Sequence, residues 1–196
     1  DTKDRLDYED NGRYPDYEHD PEYDAAFNPT TFRGTSGLSY NDDNQRLAAG
    51  YSFDGNGNPS YYNWVSLSFD AENRMTSYGT ALYAGYTGDG LRAWKDTDTN
   101  ASNGRTYFLY DGGMLLAEMD ASGSITAVNT WGANGLLSRR VSSTTTYYVY
   151  DPQGSVAARL NSSQTVVNSD LYDAYGSLLA GGASDPYGYC GQWGYY

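Results

Sequence analysis

Nucleophilic, general-base and transition-metal chemistry draw on His and Cys, and this sequence of 196 residues holds one of each, His19 and Cys190. His19 stands in a Pro-broken acidic stretch with carboxylates beside it and no nucleophile, which predicts a surface imidazole and no general base. One Cys and one His cannot complete a zinc site. A single Cys also excludes an internal disulfide framework, so Cys190 reads as a small buried hydrophobe. Carboxylates are plentiful, twenty Asp and five Glu, but a glycosidase needs two of them facing across a cleft, and no pair is marked. Asp16, Glu18, Asp20 and Asp24 offer the hard oxygens calcium prefers, in a spacing that fits no recognisable loop. Asp54-Gly55-Asn56-Gly57-Asn58 begins like an EF-hand loop and then puts Pro59 and Val65 where Gly and Glu are required. The Gly-rich stretches lack the Lys-Ser/Thr of a phosphate loop. These residues predict no catalytic group, no metal and no cofactor.

The Asp residues recur in another pattern: an aromatic closing a strand, an Asp, two residues and a Gly. The clearest copies are Tyr150-Asp151-Pro152-Gln153-Gly154 and Tyr172-Asp173-Ala174-Tyr175-Gly176. Looser ones are Tyr40-Asn41-Asp42-Asp43-Asn44, Phe53-Asp54-Gly55-Asn56-Gly57, Phe69-Asp70-Ala71-Glu72-Asn73 and Met119-Asp120-Ala121-Ser122-Gly123, and Tyr110-Asp111-Gly112-Gly113 also reverses the chain. Asp suits the first position of a type I turn because its carboxylate accepts a backbone N–H two residues on, and Pro at the next position has its φ already set. Gly, or Asn after it, takes the left-handed φ that follows. Such a turn is a common antiparallel connection. The spacing is uneven, so the repeat is degenerate, yet repetition of one hairpin device outranks any single-residue motif here.

These units resemble the YD-repeat, or rearrangement-hotspot (Rhs), family. Phe69-Asp70-Ala71-Glu72-Asn73-Arg74-Met75 is similar to its Tyr-Asp-Ala-x-Asn-Arg-Leu segment. Tyr86-Thr87-Gly88-Asp89-Gly90-Leu91-Arg92 and Asp185-Pro186-Tyr187-Gly188-Tyr189-Cys190-Gly191-Gln192 are similar to the run-in to the family's core. The resemblance covers roughly residues 38 to 196. It implies a β-rich secreted or surface shell, a spiralling strip of antiparallel strands that can enclose a toxin cargo, and sugar binding is also attributed to such repeats. Family cores continue to an autoproteolytic Asp-Pro-x-Gly-Leu site, whereas this sequence stops at Trp193-Gly194-Tyr195-Tyr196, so neither cargo nor cleavage site is expected here. Asp151-Pro152-Gln153-Gly154 echoes that site, but in its repeat context it reads as a turn.

Composition sets the class. Leu, Ile, Val and Phe make up about 14% of the chain, which with a net charge of −13 would ordinarily mean disorder. Twenty-two Tyr oppose that, because a Tyr ring lines a half-dry sheet face while its hydroxyl stays wet. Lys occurs only at Lys3 and Lys95 and the ten Arg are scattered, so no basic stripe exists for nucleic acid or an anionic membrane. No apolar run approaches a spanning helix. The chain begins at Asp1 without Met, which reads as a processed or incomplete sequence.

Two domains are expected. Residues 1–36 form an extended acidic arm, with ten carboxylates against three basic residues between Asp1 and Asp24 and four tyrosines, Tyr8, Tyr14, Tyr17 and Tyr23. Residues 37–196 form an all-β antiparallel sheet, curled or spiralling, of roughly a dozen strands; Thr144 to Tyr150, all β-branched or aromatic, is the strongest. Asn103-Gly104 reads as a tight turn, and Asn100-Ala101-Ser102 and Asn161-Ser162-Ser163 as sequons on loops. Trp64, Trp94, Trp131 and Trp193 are candidates for stacking on glycans, against the plainer reading that they pack the sheet itself. An open strip that wide, about 60 Å at 4.8 Å per strand, carries two unpaired edges. The expectation is a non-enzymatic extracellular structural protein that self-assembles through edges and arm into an oligomer or filament; a shell fragment and a carbohydrate-binding module are the alternatives.

Overall fold

The computed structural model describes residues 5–12, 14–97 and 104–194, with backbone alone for Asn11 and residues 14–18. The side chains of Asp16 and Glu18, the sequon at Asn100, the Asn103 half of its turn and Tyr195-Tyr196 therefore lie outside the described residues. The acidic segment carries strands of its own. β1 (Glu9–Asn11) pairs with β2 (Tyr14–His19), and β3 (Glu22–Tyr23), β4 (Pro29–Phe32) and β5 (Thr35–Ser36) form a three-stranded sheet. There follow β6 (Ser52–Phe53), β7 (Pro59–Tyr62), β8 (Val65–Phe69), β9 (Met75–Tyr78), β10 (Leu82–Tyr86), β11 (Arg92–Asp96), β12 (Arg105–Asp111) and β13 (Met114–Met119). Next come β14 (Ile125–Gly132), β15 (Gly135–Val141), β16 (Thr144–Tyr150), β17 (Val156–Leu160) and β18 (Val166–Ser169). A last hairpin, β19 (Leu171–Tyr172) with β20 (Leu178–Ala180), precedes a short 3₁₀ turn at Gly191–Trp193.

β6 to β18 make one thirteen-stranded antiparallel sheet whose spatial order is the sequence order, with no crossover and no closure of β18 on β6. The chain divides into two compact units, Asp1–Thr80 and Ala81–Tyr196. No helix among the described residues is long and apolar enough to cross a membrane.

Aromatic and β-branched residues favour these strands, and alternation supplies the burial. In the second unit one sheet face carries Ala127 and Asn129 of β14, Arg139 of β15, Tyr148 of β16 and Arg159 of β17, all buried. Leu136, Tyr148, Val156 and Tyr187 form the core, with Trp131 and Tyr150 packed against it. Tyr147, Val149 and Leu137 stay exposed. So few aliphatic residues leave polar groups in the interior, and these are paired. Arg139 donates to Glu118 at 2.6 Å, and Asn129 donates to the Tyr187 hydroxyl at 2.7 Å and to the Leu115 carbonyl at 3.0 Å.

Breaking that pair strands a charge. Arg139→Met leaves the Glu118 carboxylate buried without its cation and is expected to cost about 3–5 kcal/mol in urea unfolding. Replacing both partners, Glu118→Leu with Arg139→Met, recovers most of the loss. A single substitution that costs under about 1 kcal/mol would show the pair to be solvated.

Candidate functional site

One device recurs through the described chain. In nine places the N–H of a head residue donates to the carbonyl four residues on, and the N–H of the residue third after the head donates back to the head's carbonyl. The heads are Asp24, Asn41, Asp54, Asp70, Thr87, Asp120, Asp151, Asn161 and Asp173. In each, the residue third after the head has a left-handed φ: Phe27, Asn44, Gly57, Asn73, Gly90, Gly123, Gly154, Gln164 and Gly176, between 60° and 90°. In the eight Asp and Asn cases Oδ1 of the head accepts the N–H groups two and four residues on, at 2.7 to 3.1 Å. Thr87 does part of this with its hydroxyl, which accepts from Leu91 at 3.1 Å.

The residue before the head is where the strand register slips. Tyr23, Phe53, Phe69, Tyr86, Met119, Tyr150, Leu160 and Tyr172 each stand at a β-bulge, and Tyr40 makes a single bridge to Arg46. A type I turn followed by a left-handed residue and a bulge twists the hairpin as the sheet requires. In the first unit successive turns also touch. Asn28 donates to Asn44 at 2.8 Å and Asn58 to Asn73 at 2.7 Å, each joining the end of one turn to the left-handed residue of the next.

The sequence singled out six of these turns. Those headed by Asp24 and Thr87 escaped it, because Phe27 replaces Gly in the first and a hydroxyl replaces the carboxylate in the second; Asn161 to Gln164 reads from the sequence as the connection between two strands, without the repeat's Gly. Asp111 differs: it ends β12 opposite Met114, and Gly112-Gly113 close a two-residue turn that needs no side-chain acceptor.

The four tryptophans differ in their surroundings. Trp94 lies under the Arg105 guanidinium at 4.1 Å and against the Gly85 backbone, and Trp131 donates to the Leu115 carbonyl at 2.8 Å beside the core. Trp64 and Trp193 are exposed. His19 corrects the expectation of a surface imidazole. It is buried, edge-on to Phe32 at 4.9 Å, with Nδ1 accepting the Arg33 N–H at 3.4 Å. Cys190 is half-buried with a left-handed φ of 52°, and its N–H donates to the Ser155 hydroxyl at 3.0 Å. Among the described residues no three His, Cys, Asp or Glu side chains gather as metal ligands.

The segment from Asp185 to Gln192 has a definite place: it lies across the second unit's sheet. Gly188 accepts from the Val156 N–H at 2.9 Å, the Gln192 N–H donates to Gly154 at 3.0 Å, and Tyr148 donates to Asp185 at 2.9 Å. Arg159 is the centre of the dock, donating to Asp170 and, at 2.5 Å, to the Tyr187 carbonyl. Burial pushes the phenols of Tyr148, Tyr150 and Tyr187 above their ordinary range, and burial followed by the Asp170 charge takes Tyr172 up to about 12. These hydroxyls are structural hydrogen-bonding groups at any ordinary pH.

Four of the turn heads have the opposite tendency. A side-chain bond from Asn58 holds Asp54 below the carboxylate range, as Asn28 does for Asp24, the Arg74 N–H for Asp70 and the Ser122 hydroxyl for Asp120. A depressed folded-state value contributes stability that is whole above the unfolded value, near 4, and lost as pH falls through the folded one. The melting temperature is therefore expected to fall as the pH drops below about 4, less so when these four heads are Asn. Equal acid sensitivity in that variant would remove the turns as its source. At Asp173, buried among its bonds, Asp173→Ala is expected to cost about 1–3 kcal/mol and Asp173→Asn less, read by urea unfolding.

No family model matches the sequence. Over 144 residues it is 32% identical to the tRNA3(Ser)-specific nuclease WapA of Bacillus spizizenii, a match that takes in 68% of this chain and 6% of WapA. Among solved structures it superposes on TcdB2–TccC3 without its hypervariable C-terminal region, with a TM-score of 0.66 at 16% identity over 89% of this chain and 11% of that one. It also superposes on the Photorhabdus luminescens Tc holotoxin pore, with a TM-score of 0.62 at 15% identity over 86% of this chain and 10% of that one. The chain thus spans about a tenth or less of the proteins it matches. With the repeated Asp-headed turn, the open antiparallel sheet and the WapA match together, the chain belongs to the YD-repeat, or rearrangement-hotspot, family.

Proposed function

We propose that this chain is a structural, non-enzymatic stretch of a YD-repeat wall, secreted or held at a cell surface, that joins further strands at the two edges of its sheet. The observation that carries this reading is the strand order: β6 and β18 are the end members of an open meander. Two of the edge residues, Val166 and Val167, are exposed and apolar. Open edges of that kind take up another strand. Six of the twenty Asp, namely Asp24, Asp54, Asp70, Asp120, Asp151 and Asp173, are turn heads whose Oδ1 accepts two backbone N–H groups.

What supplies the neighbouring strands distinguishes two forms of the proposal. The share of WapA and of the toxin-complex chains that it matches favours a segment of a longer shell, in which adjoining repeats continue the sheet. Self-association into an oligomer or filament is the second form, favoured by the same two edges. In it residues 1–36 act as a contact arm beside a repeat wall of residues 37–196.

Sedimentation velocity over a hundredfold dilution tests the shared premise. The wild-type chain is expected to show concentration-dependent association, and Val166→Lys with Val167→Lys to shift it towards monomer, since charge on an edge strand opposes pairing. A wild-type monomer at every concentration would sink the claim that these edges recruit strands.

A further inference from the structure

The first unit holds one aromatic residue that its own packing does not account for. Asn63 and Trp64 form the two-residue turn between β7 and β8, with Tyr62 paired to Val65 and φ values of 49° and 68°. Such a turn wants Asn followed by Gly, because both central residues are left-handed. A Trp there accepts backbone strain, and strain held in an exposed residue points to a use beyond the fold. The Trp64 N–H donates to Gly50 at 3.1 Å and the ring lies over that glycine, where a Cβ would come within 2.8 Å. Even so, Trp64 is 71% exposed. Beside Gly50, Tyr51 meets Tyr62 edge-on at 5.1 Å, and Tyr61 and Tyr62 are exposed as well.

The same unit shows what covers several of its other aromatic rings. Phe27, also exposed and left-handed, has the Arg5 guanidinium 5.2 Å from its ring centre. Arg46 lies over Tyr51 at 4.6 Å and Arg33 over Phe32 at 4.9 Å. Among the described residues none places a cation over Trp64. Trp is the ring that attracts a cation most strongly, and Arg is the side chain most often found there. Residues 1–80 carry fifteen carboxylates against six Lys and Arg, so the surrounding field draws a basic partner.

We propose that Trp64, flanked by Tyr61 and Tyr62, is the docking point for an arginine side chain of a partner protein. The proposal goes beyond the wall reading and does not depend on how the sheet edges are filled. The guanidinium plane lies on the indole face as Arg5 lies on Phe27, and the acidic unit supplies the longer-range attraction. An ammonium of equal charge gains that attraction without the planar stacking.

Fluorescence anisotropy of labelled hexa-arginine and hexa-lysine against the full chain, at physiological ionic strength, tests this. Hexa-arginine is expected to bind more tightly than hexa-lysine, and Trp64→Gly to weaken hexa-arginine about two- to fivefold and hexa-lysine less. Glycine suits the turn, so the variant's melting temperature is expected to equal or exceed wild type, and Trp64→Asn, also at ease there, serves if it does not. Trp193→Ala, at an exposed tryptophan of the other unit, is expected to leave both peptides unaffected. The proposal is overturned if hexa-arginine fails to bind, if Trp193→Ala costs as much as Trp64→Gly, or if both peptides respond alike to Trp64→Gly. Displacement of hexa-arginine by a neutral oligosaccharide would also overturn it and give the ring to a glycan.

Discussion

A single oxygen atom, Oδ1 of each Asp or Asn head, organises the fold. It accepts two backbone N–H groups that would otherwise face out of a tight reversal unpaired. Once those are satisfied the next residue is left-handed, the preceding one bulges, and the strand after the turn leaves with the twist that the sheet needs. A chain with so little aliphatic content has no thick core to impose that geometry. Local hydrogen bonding does it, hairpin by hairpin, and each hairpin has only to match its neighbour.

Charge enters the interior for the same reason. Where an aliphatic sheet would have buried Leu and Ile, the second unit buries Arg139 with Glu118 and Arg159 with Asp170, bridged by Asn129, Tyr148 and Tyr187. Such groups are costly to bury and tolerable only when every partner is present. The segment from Asp185 to Gln192 supplies several of those partners, so the resemblance it bears to a family core run-in has a physical counterpart: it completes a polar interior that the strands leave unfinished.

Much of the architecture was legible because its rules are local. Asp followed three residues later by Gly marks the turns headed by Asp54, Asp120, Asp151 and Asp173, though not Asp185 to Gly188, and the tyrosines specify a half-dry sheet. Two turns hid because Phe27 and Thr87 depart from the expected types while keeping the backbone geometry. Asp111-Gly112-Gly113 reverses the chain as read, through a shorter turn that two glycines close. His19 was judged by its acidic neighbours in sequence, whereas Phe32 and Arg33, on the far side of a hairpin, decide its burial. The Arg159 dock was beyond reach, since its partners lie 11 and 28 residues away with no spacing rule to join them.

The lacing of Asp185 to Gln192 over β14 to β17 has a mechanical consequence. A meander pulled by its last strand peels, breaking one rung at a time under little load. Here tension from the C-terminal side first meets the contacts at Gly188, Gln192 and the Tyr187 carbonyl, which tie the segment to β17 and to the turns at Asn134 and Gly154 and must break before the rungs beneath them. The sheet is thereby protected at the end where a ribbon of hairpins would most easily unravel.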